Sequence, residues 1–243
     1  MNNDEFSVET RDFSPKSIGR ALLLFILPVS AYVLGLFPII LFYVYMTKII
    51  PFSGIIYYFF MAIILVFCFL FFILFETFIP GIFIRIFQIK VSEGEYDLSI
   101  KDKGFFNHLL FFVLYRPSLY LVSIIPIVPL RLLYLKLVGL TIGKHSMIAG
   151  TELIDEPYAL IIGDNTLIAG YSVIYTHLSF KKMINKKVRI GNNCFIGNKA
   201  VIMPGAVIED NVIVRPCAVV QSDQVLKKGG IYQGNPAKKV KSE

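Results

Sequence analysis

His177 is the first residue to consider as a reagent, because it stands where a regular pattern stops, in the stretch VIYTHLSFKK. A neutral imidazole can accept a proton near neutral pH, since the reference pKa of histidine is about 6.5. Position alone leaves a catalytic role and a turn role open for His177. The other two histidines have simpler interpretations. His145 follows the turn motif IGK and is expected to be a corner residue, and His108 is expected to pack at a membrane interface.

An aliphatic residue recurs every six positions from Ile142 onward. The pattern falls into three blocks, which are Ile142, Ile148, Ile154; Ile162, Ile168, Ile174; and Ile190, Ile196, Ile202, Ile208, Val214, Val220. A small residue follows most of these four positions later, at Ser146, Thr166, Ser172, Cys194, Ala200, Ala206, Val212 and Ala218. A six-residue period is typical of a parallel β-helix, in which each hexapeptide makes one strand and one corner. An amphipathic helix is excluded, since no 3.6-residue period appears.

The repeat is interrupted twice. Eight residues separate Ile154 from Ile162, two more than one repeat needs, and DEPYA is expected to bulge there. Sixteen residues separate Ile174 from Ile190, four more than two repeats need, and this surplus is assigned to LSFKKMINKK, directly after His177. A stacked coil accommodates surplus residues as a loop thrown outward. Loops on a rigid scaffold often carry functional residues, which makes His177 a candidate, although by position alone a solvated corner histidine is the default interpretation.

The first half of the chain predicts a membrane anchor. The chain is 56% hydrophobic with a mean hydropathy of +0.67, and residues 21–47 and 49–75 carry no charge. A membrane-spanning helix needs about 20 apolar residues, so two spans are expected within residues 18–85. Lys and Arg concentrate before the first span and after the second. This distribution predicts that both termini are cytoplasmic and that the protein is an integral protein of the cytoplasmic membrane.

The sequence divides into four segments on this interpretation: a cytoplasmic tail (1–17), the two spans (18–85), a linker (86–138) and the repeat domain with its tail (139–243). The linker is apolar but interrupted by prolines and basic residues, which favours short helices along the membrane interface over a third span. Glu76, near the cytoplasmic end of the second span, is expected to reach water.

Charge and cysteine usage narrow the partners. The formal net charge of +7 suits a protein near anionic lipid. No interleaved basic and aromatic motif indicates nucleic-acid binding, so none is predicted. Cys68, Cys194 and Cys217 show no paired spacing, so no disulfide framework is expected.

Three stretches carry a family resemblance: IGDNTLIAGYSVIYTH, VRIGNNCFIGNKAVIMPGAVIEDNVIV and GGIYQGNPAKKVK. They resemble the hexapeptide-repeat acyltransferases, especially the galactoside, maltose and xenobiotic O-acetyltransferases, over roughly residues 140–241. The resemblance implies a left-handed parallel β-helix that forms a homotrimer and binds an acyl-CoA, most often acetyl-CoA, between subunits. The expected fold is therefore a mainly β soluble domain preceded by an α-helical transmembrane hairpin.

The resemblance also implies site residues. His177 matches the general base of the family, Phe195 matches an aromatic of the acceptor pocket, and Tyr175 is assigned to the same pocket. By position, the coenzyme A candidates are Gly197, Asn198, Arg215, Pro216, Gln221, Ser222, Gly234, Pro236, Lys238 and Lys241. Arg215-Pro216 departs from the Gly-Ala common in the family. Pro216 has no N–H to donate to pantetheine, whereas Arg215 could meet a phosphate.

The resulting hypothesis is a membrane-anchored acyltransferase that acylates a hydroxyl or amine of a membrane-associated acceptor, for instance a lipid-linked sugar. A catalytically silent trimeric scaffold is one alternative. A zinc hydratase of the γ-carbonic-anhydrase kind is another, and it needs three converging histidines. It is disfavoured because neither His145 nor His177 has a partner at ligand spacing in the repeat, so no metal is predicted.

Overall fold

The computed structural model describes residues 14–124 and 127–240. Its helices are α1 (Pro15–Ile49), α2 (Gly54–Ile86), α3 (Lys103–Ile124) and α4 (Val128–Leu137). Ser14 caps α1 by accepting a hydrogen bond from the Ser17 amide, and Pro15 occupies the first turn, where a missing N–H is harmless. Among the described helices, α1, α2 and α3 are long and apolar enough to cross a membrane. The most apolar window of α3 is half buried inside the protein, whereas those of α1 and α2 are mostly exposed.

Glu76 lies buried where α1 packs against α2, so the expectation that it reaches water is wrong for the described chain. Glu76 is 2% exposed, and a Cβ added at Gly35 of α1 would lie 2.5 Å from Glu76 Oε1. Neither carboxylate oxygen has a hydrogen-bond partner among the described residues. The close approach of α1 at Gly35 covers the carboxylate, which a linear sequence pattern could not show.

Short strands follow the helices in an almost unbroken series. One strand, β1 (Gly94–Asp97), precedes α3. The strands after α4 are β2 (Thr141–Ile142), β3 (Met147–Ile148), β4 (Leu153–Ile154), β5 (Leu160–Ile162), β6 (Leu167–Ile168), β7 (Val173–Ile174), β8 (His177–Ser179), β9 (Lys182–Asn185), β10 (Val188–Ile190), β11 (Phe195–Ile196), β12 (Val201–Ile202), β13 (Val207–Ile208), β14 (Ile213–Val214), β15 (Val219–Val220), β16 (Val225–Leu226), β17 (Ile231–Gln233) and β18 (Lys238–Val240).

These strands stack into a parallel β-helix with three faces. The first face orders β2-β5-β10-β13-β16, the second β3-β6-β11-β14-β17, and the third β4-β7-β12-β15. The aliphatic positions of the repeat point into the column and are buried, except Ile142, which is half-buried at its start. The small residues fit beside them, and all but Ser146 are buried. The predicted fold, a repeat-built β domain preceded by long apolar helices, is confirmed.

The corners have the backbone geometry that the IG turns predicted. His145, Asn165, Asn193 and Asn211 all have positive φ, between 52° and 58°. This is a left-handed conformation that Asn tolerates better than most residues. His145 is exposed at its corner, as expected for a turn residue. At Gly163, an added Cβ would lie 2.7 Å from the carbonyl oxygen of Gly191, so close stacking of the coils requires glycine there.

The insertion after His177 is longer than predicted. Ile174 ends β7 on the third face and Ile190 ends β10 on the first, which is one repeat step of six residues, so the surplus is ten residues rather than four. The count of two repeats was wrong because no intermediate strand joins the column. Instead β8 and β9 form an antiparallel hairpin, and β1 from the linker adds to its β9 edge.

The helical part and the β-helix share one hydrophobic core. Buried residues of α3 and α4 pack against the first coil, and a single cluster extends from Ala31 to Ala237. Tyr115 donates a hydrogen bond to the Ile154 carbonyl at 2.8 Å, and the Arg131 guanidinium contacts the Glu152 carboxylate at 3.0 Å. The first contact fixes α3 at the end of β4, and the second fixes α4 beside the residue that precedes β4.

Candidate functional site

The two interruptions of the repeat meet at one corner of the β-helix. Ile154 and Ile174 are paired in register on β4 and β7, so the residues that follow them lie on stacked corners. The expected bulge after Ile154 is present as a 3-10 helix, Pro157–Ala159, and Glu156 immediately precedes it. His177 begins the insertion one coil later. Its Nδ1 lies 2.9 Å from Glu156 Oε1 and 3.1 Å from Oε2.

A second histidine reaches this corner from the helical part. His108 on α3 places its Nδ1 3.2 Å from Glu156 Oε1, and its ring centroid lies 4.5 Å from that of His177. Phe105 and Phe112 contact the His108 ring from the same helix, with centroids at 6.3 and 6.5 Å. The packing role predicted for His108 is therefore incomplete, because its polar edge also faces a buried carboxylate.

Glu156 is an ionised carboxylate held in the interior. Burial alone would raise its pKa, but the hydrogen bonds from His108 and His177, and their charges when protonated, outweigh burial and lower the pKa to about 2. The Thr176 hydroxyl also donates to Oε2. Because every oxygen of Glu156 has a donor, this carboxylate can stay charged at neutral pH and orient the groups around it.

Asp155 and Arg116 form the outer part of the same charge cluster. They make an ion pair between α3 and the bulge, and Asp155 Oδ2 lies 4.0 Å from His177 Nδ1. Burial and the nearby Glu156 charge raise the pKa of Asp155, and Arg116 only partly opposes them. The charged and titratable groups that face His177 are thus Glu156, Asp155, Arg116 and His108.

His177 is held as a base with one nitrogen free. Burial would lower its pKa, but the hydrogen bond to Glu156 and the charges of Glu156 and Asp155 hold the pKa above its usual value of 6.5. The hydrogen bond assigns the proton of the neutral ring to Nδ1, which leaves the lone pair on Nε2. The side chain is 21% exposed, and Nε2 makes no hydrogen bond to another described residue.

His108, Glu156 and His177 have side chains of the kinds that bind metal ions. Donor atoms of His108, Glu156 and His177 all lie within 4.8 Å of one another. The expectation of no partner at ligand spacing concerned histidines within the repeat only, and His108 reaches His177 from α3, outside the repeat. The distances of 2.9 and 3.2 Å from the two histidines to Glu156 are hydrogen-bond lengths, and hydrogen bonding accounts for the arrangement. That no metal binds stays a prediction.

Most predicted coenzyme A residues collect at one edge of the β-helix, the corner between its second and third faces. An added Cβ at Gly197 would lie 2.5 Å from Pro216 N, and Asn198 accepts a hydrogen bond from the Cys217 amide at 2.9 Å. Gly234 accepts one from the Val219 amide at 2.9 Å. Arg215 also contacts the C-terminal turn, where it donates to Gln233 at 2.9 Å, and Pro236 and Lys238 follow directly.

Three coenzyme A candidates lie elsewhere. Gln221 follows β15 at the corner between the third and first faces, from which it donates to Asn235 at 3.2 Å. Ser222 belongs to the corner on the His177 side, where its neighbour Asp223 pairs with Lys186 from the insertion. Lys241 lies outside the described residues. All ten assignments remain predictions.

The acceptor-pocket candidates are separated within one chain. Tyr175 is half-buried beside Thr176, next to the base. Phe195 is half-buried on β11, on the second face, between Leu167 and Ile213 of the neighbouring coils. The whole third face lies between Phe195 and the corner of His177, so one chain does not bring both residues to one pocket.

Glu156, Asp155, Arg116 and His108 were missed as site residues. A signal for Glu156 and Asp155 was present. They begin the stretch DEPYA, where the repeat has two surplus residues, and this stretch has the same phase in the coil as the interruption at His177. No comparable signal marked His108 or Arg116. Their contacts depend on how α3 packs against the first coil.

Known proteins resemble this chain in the region of its β-helix. The family model described as bacterial transferase hexapeptide (six repeats) matches residues 187–222. A search of curated protein sequences finds no match. A solved acetyltransferase with hexapeptide repeats from Vibrio cholerae O1 biovar eltor, complexed with acetyl coenzyme A, is 26% identical with a TM-score of 0.39, over 42% of this chain and 58% of that one. The chain thus spans little more than half the length of the Vibrio protein.

Two further solved structures are similar. A maltose O-acetyltransferase from Clostridium difficile 630 is 21% identical with a TM-score of 0.43, over 52% of this chain and 84% of that one. A galactoside acetyltransferase in complex with coenzyme A is 19% identical with a TM-score of 0.40, over 51% and 80%. The family match agrees with the strand stack and confirms the resemblance found in the sequence. Residues 187–222 of the β-helix thus match the hexapeptide repeat of bacterial transferases.

Proposed function

We propose that the protein is a membrane-anchored acyltransferase that moves an acyl group, most often acetyl, from acyl-CoA to a hydroxyl or amine of a membrane-associated acceptor. One observation carries the proposal. His177, at the root of the insertion in a hexapeptide-repeat β-helix, makes a 2.9 Å hydrogen bond through Nδ1 to a buried, ionised Glu156, and its Nε2 has no hydrogen bond among the described residues. This is the arrangement that a general base of acyl transfer requires.

The chemical step uses His177 twice. Nε2 removes the proton from the acceptor hydroxyl as its oxygen attacks the thioester carbonyl carbon. The C–S bond then breaks, the thiolate of coenzyme A leaves, and the imidazolium returns the proton to it. Glu156 does not touch the reactants and acts as a positioning residue, since it fixes the tautomer and neutralises the imidazolium that forms.

The donor and the assembly extend the proposal. Two of the similar structures hold acetyl coenzyme A or coenzyme A, and the edge that collects Gly197, Asn198 and Pro216 is the proposed donor site. We propose a homotrimer, because Phe195 and His177 lie on different faces of one chain and adjacent subunits could complete one pocket. The donor would then lie between subunits.

The anchor would be the α1–α2 pair with both termini in the cytoplasm. Basic residues at both outer ends, such as Arg20 and Arg85, support this orientation. Helix α3 would lie near the cytoplasmic interface, because His108 and Tyr115 hold it against the β-helix. This arrangement suits an acceptor such as a lipid-linked sugar.

The test compares matched histidine variants of the full-length protein in detergent. Thiol release from acetyl-CoA is followed with a panel of soluble and lipid-linked alcohols and amines. His177→Asn keeps a donor toward Glu156 but removes the base, and a loss of about 10²- to 10⁴-fold in kcat/KM is expected. His145→Asn, at an exposed corner that suits Asn, should leave the rate unchanged.

Three results would contradict the proposal. Acceptor-dependent thiol release that survives His177→Asn would remove His177 as the base. No release with any acceptor would favour a scaffold. Stoichiometric zinc in the purified protein, together with hydration of carbon dioxide, would favour the hydratase, for which His108, Glu156 and His177 would be the ligands.

A further inference from the structure

Two adjoining cavities form a groove between the helical part and the β-helix. The first, of about 440 Å³, lies between the last turn of α2 and the residues that join α4 to β2. The second, of about 570 Å³, lies between residues 90–93 and the end of β9. Lys90 and Tyr158 line both cavities, so the two adjoin along these side chains. We call them together the α2 groove.

The α2 groove leads from the end of α2 toward His177. Asn185 lines the second cavity and is paired directly opposite His177 on the antiparallel strands β8 and β9. Residues opposed in this way project to the same face, with Cβ atoms about 4.5–5.5 Å apart. One end of the groove is therefore a single side chain away from the proposed base. The other end, at Arg85, is where the proposed topology places the cytoplasmic boundary of the membrane.

The α2 groove is basic. Arg85 and Lys90 are exposed, and neither has a carboxylate within 4.0 Å in the described part of the chain. Lys187 forms an ion pair with Glu93 at 3.5 Å. With Arg85 and Lys90, the groove therefore carries three cations against one carboxylate. A single arginine at a helix end is a common interface anchor, but three cations on separate segments around a cavity exceed that need. Arg offers paired N–H donors and Lys a point charge, which together suit a phosphate.

The inner end of the α2 groove has an unused hydrogen-bond acceptor. Asn185 is 2% exposed, and its Nδ2 donates to the carbonyls of Val91 at 3.1 Å and Ser92 at 2.9 Å. These two carbonyls fix the orientation of the amide. Its Oδ1 is buried with no partner among the described residues, which costs about 1–3 kcal/mol unless a donor arrives. A hydroxyl group is such a donor.

An apolar surface adjoins the outer end. Ile82, Ile86 and Phe87 are 43%, 68% and 58% exposed around Arg85. A lipid chain could lie along them while its headgroup enters the groove. A free phosphate would gain nothing from this surface.

On the basis of the proposed acyl transfer, we propose that the α2 groove holds the phosphate-bearing headgroup of a lipid-linked acceptor. The phosphate lies at Arg85 and Lys90, and the hydroxyl-bearing part points toward Asn185 and His177. The groove thereby selects anionic lipid-linked acceptors and presents them to the base.

Binding of farnesyl phosphate to the full-length protein in a neutral detergent tests this directly, by isothermal titration calorimetry. Farnesol and inorganic phosphate are the comparison probes. The native protein should bind farnesyl phosphate at least tenfold more tightly than either. The double variant Arg85→Gln/Lys90→Gln should lose at least tenfold, and added salt should weaken native binding. Lys48→Gln, an exposed lysine at the opposite end of the α1–α2 pair, should bind as the native protein does.

Several outcomes would overturn the inference. Equal binding of farnesol would mean that the phosphate is not recognised, and equal binding of inorganic phosphate would make the groove a site for a soluble anion. Unchanged binding by the double variant would place the lipid elsewhere. The binding assay needs no turnover. Failure of acyl transfer with intact farnesyl phosphate binding would therefore refute the proposed function separately.

Discussion

At the scale of single residues, Glu156 raises the pKa of His177 and orients its ring. It is buried, charged and shared by two histidines from different parts of the chain. His177 could be found from the sequence because a broken repeat marks it. The acidic pair of DEPYA could be placed at the same corner from the repeat, but the sequence did not show that Glu156 turns inward to contact His177. A repeat count gives the phase of each residue but not which excursion from the coil turns inward.

Replacing Glu156 with Gln should move the pH dependence of acyl transfer. The raised pKa of His177 rests on the Glu156 hydrogen bond and charge, which oppose burial. The neutral imidazole is the active form, so kcat/KM rises as pH passes upward through that pKa. Without the charge the pKa falls, and the rising limb should shift to lower pH. The plateau rate should drop by about tenfold or more, because the imidazolium loses its counter-charge.

The measurement is a full profile of kcat/KM against pH for both proteins. Glu209→Gln is the matched control, since Glu209 pairs with Lys227 on an outer coil surface and its loss should leave the limb in place. An unmoved limb in Glu156→Gln would show that Glu156 does not set the His177 pKa.

At the scale of elements, α1 and α2 are held together by a close approach that their composition does not reveal. The apolar runs predicted two long helices, and two are present. The burial of Glu76 beneath Gly35 follows from their packing. Similarly, the six-residue period predicted the coil strands, but not β1, whose partner β9 is far along the chain. The period also could not show that the insertion forms a hairpin.

A side chain at Gly35 should loosen the helix pair. An added Cβ there lies 2.5 Å from Glu76 Oε1, whereas a Cβ at Gly19, on the same helix, meets nothing within 4 Å. Gly35→Val should therefore cost about 1–3 kcal/mol of overpacking. The unfolding midpoint in detergent, followed by circular dichroism, should fall by about 2–10 °C relative to Gly19→Val. Equal midpoints for the two variants would contradict the packing described for Glu76.

At the scale of the whole molecule, His108 joins the helical part to the site on the β-helix. The other contacts across this boundary include Tyr115 with Ile154 and Arg131 with Glu152. His108→Phe keeps the ring packing but removes one donor from the buried Glu156. His108→Gln can restore a donor.

His108→Phe should lower kcat/KM by about tenfold, because losing a hydrogen bond to a charged group costs about 1.5–3 kcal/mol and loosens Glu156. His108→Gln should recover most of the rate and keep the native pH limb. Steady-state kinetics across pH for the two variants check this. A rate loss that is equal in both, with equal thermal stability, would argue that the imidazole itself is required and that positioning of Glu156 is not its role.

The shared core also determines what covers the first coil of the β-helix. A parallel β-helix is an open stack, and the strands of its terminal coils can pair with another chain. At the far end, β18 folds back antiparallel on β17, and at the near end α3 and α4 lie over the first coil. Helices α3 and α4 therefore also cap the near end of the stack. Cutting the chain between α4 and β2 would expose the unpaired strand edges of the first coil. Other chains can pair with these edges and extend the stack into fibres.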